Sequence, residues 1–538
     1  MLWQPHTVAQ ALEKCVNFRG NELALIVQSK KMNWSEVQDR AILFAKSLLA
    51  FGVHAGDFVG ILCANDDNWI DAFLGSALIG AVTVPLNTRF KSTELLYCLK
   101  DADVKFLFTM DQFLNIDFIE LLQTVEPQLN HSLPGSALPM LKYVMVWGDN
   151  IPSGAMTAQE FLSKSKLTSE KAFENACLAV NPLDVLLIQF TSGTTAFPKG
   201  VMLTHENMLH NANAVADRIG LTSEDRYFNC RPFFHVAGST LSLLATIETQ
   251  SCLVTLPTFE AGAALRMIYD ESCTFISGND TIFQLLLNHV DFDASKLKLR
   301  GGWAAAGPQT MHRIVHEMGI KGICWSYGLS EASPNVVKSD FKDCVEDRID
   351  GLAKPLPGLE VKIIDQYNGL LLNPFQHGEI CVRGWSVMKG YYKKPELSAQ
   401  AIDSEGWLHT GDLGFLTYEG HLRFVGRIKD IFRVGGENVA PAEVEESLLS
   451  LPVIATAQVV GVPDAKYGEV GAAYISLKEG TNFNEEAVVG ELKKKIANFK
   501  VPKYFAVVSN FETIGMTASG KVQKNKLKED ALRRFSIH

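Results

Sequence analysis

The sequence predicts an α/β fold. It reads as a large N-terminal domain of parallel-rich βαβ sheets packed with helices, carrying a small β-rich subdomain and followed by an α+β C-terminal domain. Three observations carry this. At 538 residues the chain exceeds what one hydrophobic core supports, so two or more domains are expected. Short apolar runs alternate with helical patterns through residues 1–300, the rhythm of parallel sheets covered by helices. The pattern then changes twice: to short strands between Gly, Pro and Asn turns over residues 356–425, and to a compact α+β pattern after Arg427.

Taken in order, Val37, Ala41, Phe44, Ala45, Leu48 and Leu49 share one helical face, and Phe51-Gly52 supplies its stop. Residues 58–62 form a strand pattern, and residues 67–79 a helix. Val185 to Phe190 is a buried strand candidate that runs into a loop over 191–200, with a helix expected from about His205. Residues 360–364, 378–383 and 421–425 read as the short strands of the β-rich subdomain. Beyond Arg427 follow a helix from Ala442, strands near 457–460 and 472–476, a helix from Glu485 and a strand near 505–508. The main boundary therefore separates 1–427 from 428–538.

Composition narrows the function classes. With 47% hydrophobic and 20% charged residues the chain is that of a globular protein. The net charge of −10 is dispersed, and the lack of a basic stripe speaks against a nucleic-acid partner. No apolar run reaches the length of a transmembrane segment. The start lacks the basic-then-apolar pattern of a secretory signal, Ser536-Ile537-His538 is no address signal, and the ten cysteines contain no CxxC pair. A cytoplasmic protein with reduced thiols is expected. A homodimer is left open.

The loop Thr191-Ser192-Gly193-Thr194-Thr195-Ala196-Phe197-Pro198-Lys199-Gly200 has the chemistry of a phosphate cradle. Small residues let backbone amides approach phosphate oxygens, hydroxyls add donors, and Lys199 adds a cation. It is not the GxxxxGK[ST] loop, because no Ser or Thr follows the lysine. Its bland alternative is a Ser/Thr-rich surface turn.

This segment resembles the signature of the adenylate-forming (AMP-binding) enzymes, and the resemblance recurs in order along the chain. The further matches are Phe233-Phe234-His235-Val236-Ala237-Gly238, Tyr327-Gly328-Leu329-Ser330-Glu331, Gly406 to Asp412, Gly426-Arg427-Ile428-Lys429-Asp430, Gly435-Gly436-Glu437-Asn438-Val439 and Ser519-Gly520-Lys521. The resemblance implies an acyl-CoA synthetase using ATP, Mg²⁺ and CoA. A carboxylate attacks the ATP α-phosphate, and developing charge on phosphoryl oxygens calls for cations and positioning. Thr191, Ser192, Gly193, Thr194, Thr195 and Lys199 would then hold phosphates. Glu331 would be the Mg²⁺ ligand, a hard oxygen donor. Ala305, Ala306, Gly307 and Tyr327 would line the adenine, Gly328 and Ser330 would also belong to the ATP/AMP site, Asp412 would accept the ribose hydroxyls, and Arg427 would face the nucleotide. Lys521 is implied to act on the carboxylate and α-phosphate. Arg433, Gly435, Gly436 and Glu437 would meet CoA after the C-terminal domain, mobile in this family, turns about a hinge at Lys429. His235, Val236, Trp303, Trp325 and Ser326 are the acyl-pocket candidates, and His235 also belongs with Lys521, Glu331 and Thr191 to the catalytic set. His235 stands where amino-acid-activating relatives carry an aspartate, which suits an acid without an α-amino group.

Several positions depart from the family pattern. Ala196 replaces a glycine, Ala304-Ala305-Ala306-Gly307-Pro308 permutes the adenine segment, Ala353 replaces a turn glycine, and Arg433 stands in place of lysine. Trp325 either narrows the acyl pocket or packs in the core. The expected activity is conversion of acid, ATP and CoA to acyl-CoA, AMP and pyrophosphate, with a medium- to long-chain fatty acid as the expected substrate. The alternatives are an acyl-AMP ligase loading a carrier protein, an aryl-acid CoA ligase, and a nucleotide-binding relative without chemistry.

Overall fold

The computed structural model describes residues 3–191, 198–478, 480–509, 511, 514–516 and 522–537. Two large sheets form the N-terminal region. In the eight-stranded sheet, Val185–Thr191, Val82–Pro85, Phe58–Leu62, Phe106–Met110, Tyr143–Trp147 and Met156–Thr157 run parallel. In the nine-stranded sheet, Gly322–Gly328, Gly301–Ala305, Phe275–Asn279, Arg226–Asn229, Cys252–Thr255 and Leu23–Val27 do the same. Strands such as Val185–Thr191, whose Leu186, Leu187 and Ile188 are all buried, need cover on both faces, and helices supply it.

Local sequence explains the covering helices. Asn33 accepts the Glu36 N–H while the Glu36 carboxylate takes the Asn33 N–H, a capping box that starts Trp34–Ala50. The next helix, Asp67–Leu78, packs on it and is buried along almost its whole length, which explains its apolar sequence.

The helix expected from about His205 is present, and the structure adds a strand ahead of it. The loop after Val185–Thr191 does not lead straight into a helix. Lys199–Thr204 first forms a strand, antiparallel to Val185–Thr191 with Thr191 opposite Lys199. Val201 and Leu203 are apolar and buried, so the six residues favour pairing over a helical start. The helix His205–Ile219 begins afterwards, capped by Thr204 and Asn207. The phosphate-type loop is thus a hairpin connection.

Leu359–Ile364, Gly378–Gly384, Leu408–Leu416 and Leu422–Arg427 make a four-stranded antiparallel sheet. From Phe432 onward the chain has its own core, with Val444, Leu448, Val459, Tyr474, Leu492 and Leu527 at its centre. Its sheet joins Glu437–Val439, Phe432–Val434, Gly468–Leu477 and Ile454–Asp464, and Tyr504–Val507 adds in parallel to Gly468–Leu477. Among the described residues no helix is long and apolar enough to cross a membrane.

Candidate active site

The phosphate side is built at the turn end of the hairpin. Thr191 ends one strand and Lys199 begins the next, with Thr191 Oγ1 donating to Lys199 O at 3.5 Å. The short strand Gly390–Tyr391 pairs with Lys199–Thr204, which brings the Tyr391 ring within 4.9 Å of Lys199 Nζ. Tyr391 Oη in turn donates to Glu331 Oε1 at 3.0 Å. Burial first, and the Glu331 carboxylate second, push the Tyr391 phenol above its ordinary range, so it remains a donor. Glu331 sits in the 3₁₀ turn Ser330–Ala332, whose position is fixed by Met388 N–H donating to Glu331 O at 2.9 Å. Gly328 is required just before it: a Cβ there would lie 1.9 Å from Pro334 O. Ser192, Gly193, Thr194, Thr195, Ala196 and Lys521 lie outside the described residues.

The nucleoside side is a second network. Tyr327 Oη donates to Asp412 Oδ2 at 2.9 Å, and its ring stacks on Phe424 with centroids 5.1 Å apart. Asp412 faces Arg427 across neighbouring antiparallel strands, with Arg427 Nε 3.2 Å from Asp412 Oδ1. Asp412 is buried; each carboxylate oxygen can accept further donors beside these two. Burial, then the Asp412 charge, hold the Tyr327 phenol well above its usual range. Ala306 is buried and its carbonyl accepts the Trp325 indole N–H at 3.1 Å, while Ala305 is exposed. Gly307 caps the helix Pro308–His316, and its N–H donates to Asp280 Oδ1 at 3.2 Å. Burial raises the Asp280 carboxyl to about 6.

The acyl-side candidates lie around the end of Arg226–Asn229 and the middle of the nine-stranded sheet. His235 Nδ1 accepts the Ala237 N–H at 3.1 Å, which leaves Nε2 as the proton-bearing nitrogen. Gln189, next to the phosphate hairpin, donates to Phe234 O at 3.1 Å and ties this segment to it. Val236 is buried beside His235. Ser326 and Asn335 exchange side-chain hydrogen bonds at 2.7 and 3.2 Å. Trp303 is buried and donates its indole N–H to Tyr227 Oη at 2.8 Å. Trp325 is buried, with its indole against Ala306 and Gly351.

Sequence reasoning missed Tyr391, Asp280, Arg231 and Lys338. Tyr391 lies outside every motif and gains its place only through strand pairing. Lys338 did carry a signal, a cation directly after the apolar pair Val336-Val337 in the strand Asn335–Lys338. It and Arg231 are both buried, and both lie over Trp303.

In the C-terminal domain, Gly435 and Gly436, at φ of +59° and +93°, form the turn between Phe432–Val434 and Glu437–Val439. Arg433 Nη2 donates to Tyr367 Oη at 2.6 Å and its Nε to Asn438 Oδ1 at 3.1 Å; Glu437 is exposed. Lys429 lies in the short turn Ile428–Asp430, where burial lowers its pKa.

A sheet-and-helix scaffold with a phosphate-type hairpin, a Tyr–Asp–Arg network and a separate C-terminal α+β domain defines an adenylate-forming enzyme. The chain belongs to the AMP-binding enzyme family: that family's model matches residues 12–392, and the model of the AMP-binding enzyme C-terminal domain matches residues 443–521. It is similar to a methyl-dioxo-octahydroindenyl-propanoyl:CoA ligase of Mycobacterium tuberculosis, 35% identical over 97% of this chain and 98% of that one. It is also similar to the mitochondrial medium-chain acyl-CoA ligase ACSF2 of Homo sapiens, 31% identical over 99% of this chain and 88% of the relative. The crystal structure of the anthranilate CoA ligase AuaEII with anthranoyl-AMP shares the fold, with a TM-score of 0.88, 24% identity, and coverage of 100% and 99% of the two chains. The protein is an AMP-forming acid–thiol ligase of the acyl-CoA synthetase kind, and such ligases use ATP, Mg²⁺ and CoA.

Proposed function

We propose that this ligase activates a medium- to long-chain carboxylic acid lacking an α-amino group and transfers the acyl group to CoA. The reading is supported by the medium-chain acyl-CoA ligase relative and by the neutral His235 at the acyl entrance. The observation that carries the chemistry is the pair of networks Lys199–Tyr391–Glu331 and Tyr327–Asp412–Arg427, each built from strand ends that meet in the fold.

In the first half-reaction a carboxylate oxygen bonds to the α-phosphorus of ATP, and the bond to pyrophosphate breaks. Lys199 and the loop from Thr191 to Thr195 hold the phosphates. Tyr327 offers its face, and Ala305, Ala306, Gly307, Gly328 and Ser330 their backbone, to adenine. Asp412 accepts from the ribose, with Arg427 fixing its orientation. Lys521 brings positive charge to the reacting carboxylate and α-phosphate. Glu331, half-buried and with carboxylate capacity beyond its bond from Tyr391, fits a Mg²⁺ ligand, and the ion would neutralise charge on the leaving pyrophosphate. In the second half-reaction the CoA sulfur bonds to the acyl carbon and AMP leaves. Arg433, Gly435, Gly436 and Glu437 are the CoA contacts in this reading, reached by rotation about Lys429.

The test is AMP release from ATP over a panel of fatty and aryl acids, with and without CoA. CoA-dependent AMP release that is fastest with an aliphatic acid supports the reading. Release that is unaffected by CoA, or that occurs with aryl acids alone, refutes it.

A further inference from the structure

Two buried cations stand apart from every group assigned above. Lys338 Nζ lies 4.6 Å, and Arg231 Cζ 5.3 Å, from the centre of the Trp303 ring. Lys338 is 0% exposed and Arg231 7%. Among the described residues neither Lys338 Nζ nor Arg231 Nε has a hydrogen-bond partner. Among the described residues no carboxylate acts on either: the charge interactions are with the Cys324 thiol for Lys338, and with Cys230 and Tyr227 for Arg231. The ring face attracts a cation but is a poor hydrogen-bond acceptor, so the Lys338 ammonium and the Arg231 Nε–H stay unmet in a site where that is costly. Burial accordingly lowers the Lys338 ammonium to about 7.

Their positions connect them to the acid. Lys338 is opposite Ser326 in the antiparallel pair, one residue from Tyr327. Arg231 precedes His235 by one short turn, and its backbone carbonyl is held by Asn65 and Asn229 side chains at 2.6 and 2.9 Å. Trp303, held by Tyr227, lies on the strand that continues to Ala305. Arg231 and Lys338 thus meet on the Trp303 ring between the His235 segment and the strand that carries Ser326 and Tyr327, with Tyr227 bonded to the same indole.

We propose that the acyl pocket takes an acid with a second carboxylate at its far end, held over Trp303 by Arg231 and Lys338. This deepens the acid-activation reading and rests on it. The guanidinium offers a planar fork and the ammonium a point charge, and a carboxylate satisfies both. An alkyl tail leaves them unpaired, and buried donors deprived of partners discriminate strongly against the ligand that lacks the acceptor.

The experiment compares kcat/KM for AMP release with straight-chain monocarboxylic acids and with α,ω-dicarboxylic acids of the same carbon number. It uses the full chain and the variants Lys338→Met and Arg231→Met. At the best chain length the wild type is expected to prefer the dicarboxylic acid by at least about tenfold, and each substitution to move that ratio about tenfold toward the monocarboxylic acid. A wild-type preference for the monocarboxylic acid at every length, or a ratio that neither substitution moves, overturns the second-carboxylate site alone. No AMP formation with any acid overturns the acid-activation reading as well. Should a variant fail to fold, wild-type thermal midpoints decide: a larger rise with AMP plus the dicarboxylic acid supports the site, and equal rises overturn it.

Discussion

The nucleotide side and the acyl side of this site handle charge in opposite ways. On the nucleotide side the described charges already have partners: Lys199 lies against Tyr391, Tyr391 bonds Glu331, and Asp412 sits between Tyr327 and Arg427. On the acyl side Arg231 and Lys338 are buried with no carboxylate to meet them among the described residues. The first arrangement is preorganised, its groups held in place before any ligand arrives. The second keeps unmet donors, which makes the identity of the acid a matter of charge as well as size.

The largest effect that sharpens this contrast is expected at Lys521. Lys521→Ala should reduce acid-dependent exchange of pyrophosphate into ATP by about 10²–10³, the loss typical of one donor aimed at developing charge. Thioester formation from supplied acyl-AMP should survive. Equal loss of both half-reactions would show that Lys521 does not act on adenylation in particular. Next in size, Asp412→Asn should raise KM for ATP by about 10–10², because charge-assisted hydrogen bonds are weakened on a buried residue that also orients Arg427. An unchanged KM for ATP would remove Asp412 from the ribose site. Tyr391→Phe deletes one hydrogen bond to Glu331 and should cost about three- to tenfold in kcat/KM. A loss above about 10² would mean Tyr391 does more than hold Glu331 in place.

The smallest effect concerns stability and has a defined pH dependence. An unfolded lysine holds its proton to about pH 10.4, whereas folded Lys338 gives its proton up at about 7. Between these values the unfolded chain binds more protons, so this residue makes the folded state more stable as pH rises. Lys338→Met should therefore stabilise the ligand-free protein by about 1–3 kcal/mol at neutral pH, with the gain shrinking toward pH 10. Chemical denaturation of both proteins at two pH values checks this. A destabilised variant, or a difference independent of pH, would show that the ammonium is not buried at a cost.

The two sides also differ in how far they could be read from sequence. Thr191, Lys199, Tyr327, Glu331, Asp412 and Arg427 lie in local motifs, so their chemistry was legible as residue types at fixed spacing. The helix and strand patterns up to Leu78 and those of the C-terminal domain were legible for the same reason, since periodicity is local. The strand Lys199–Thr204 was missed because six residues between a loop and a helix give too short a pattern to separate from either neighbour. Tyr391 enters through the pairing of Gly390–Tyr391 with that same strand, a contact no motif records. Arg231 and Lys338 meet on Trp303 only because Arg226–Asn229, Gly301–Ala305 and Asn335–Lys338 belong to one sheet whose strand order departs from chain order.

Acid activation through an adenylate is tested most directly by a single turnover without CoA. Enzyme, ATP, Mg²⁺ and an accepted acid are mixed, quenched and analysed by mass spectrometry, before and after CoA is added. The expected result is acyl-AMP with one pyrophosphate per active site, converted to acyl-CoA and AMP once CoA is present. Formation of ADP and phosphate in place of AMP and pyrophosphate would contradict it.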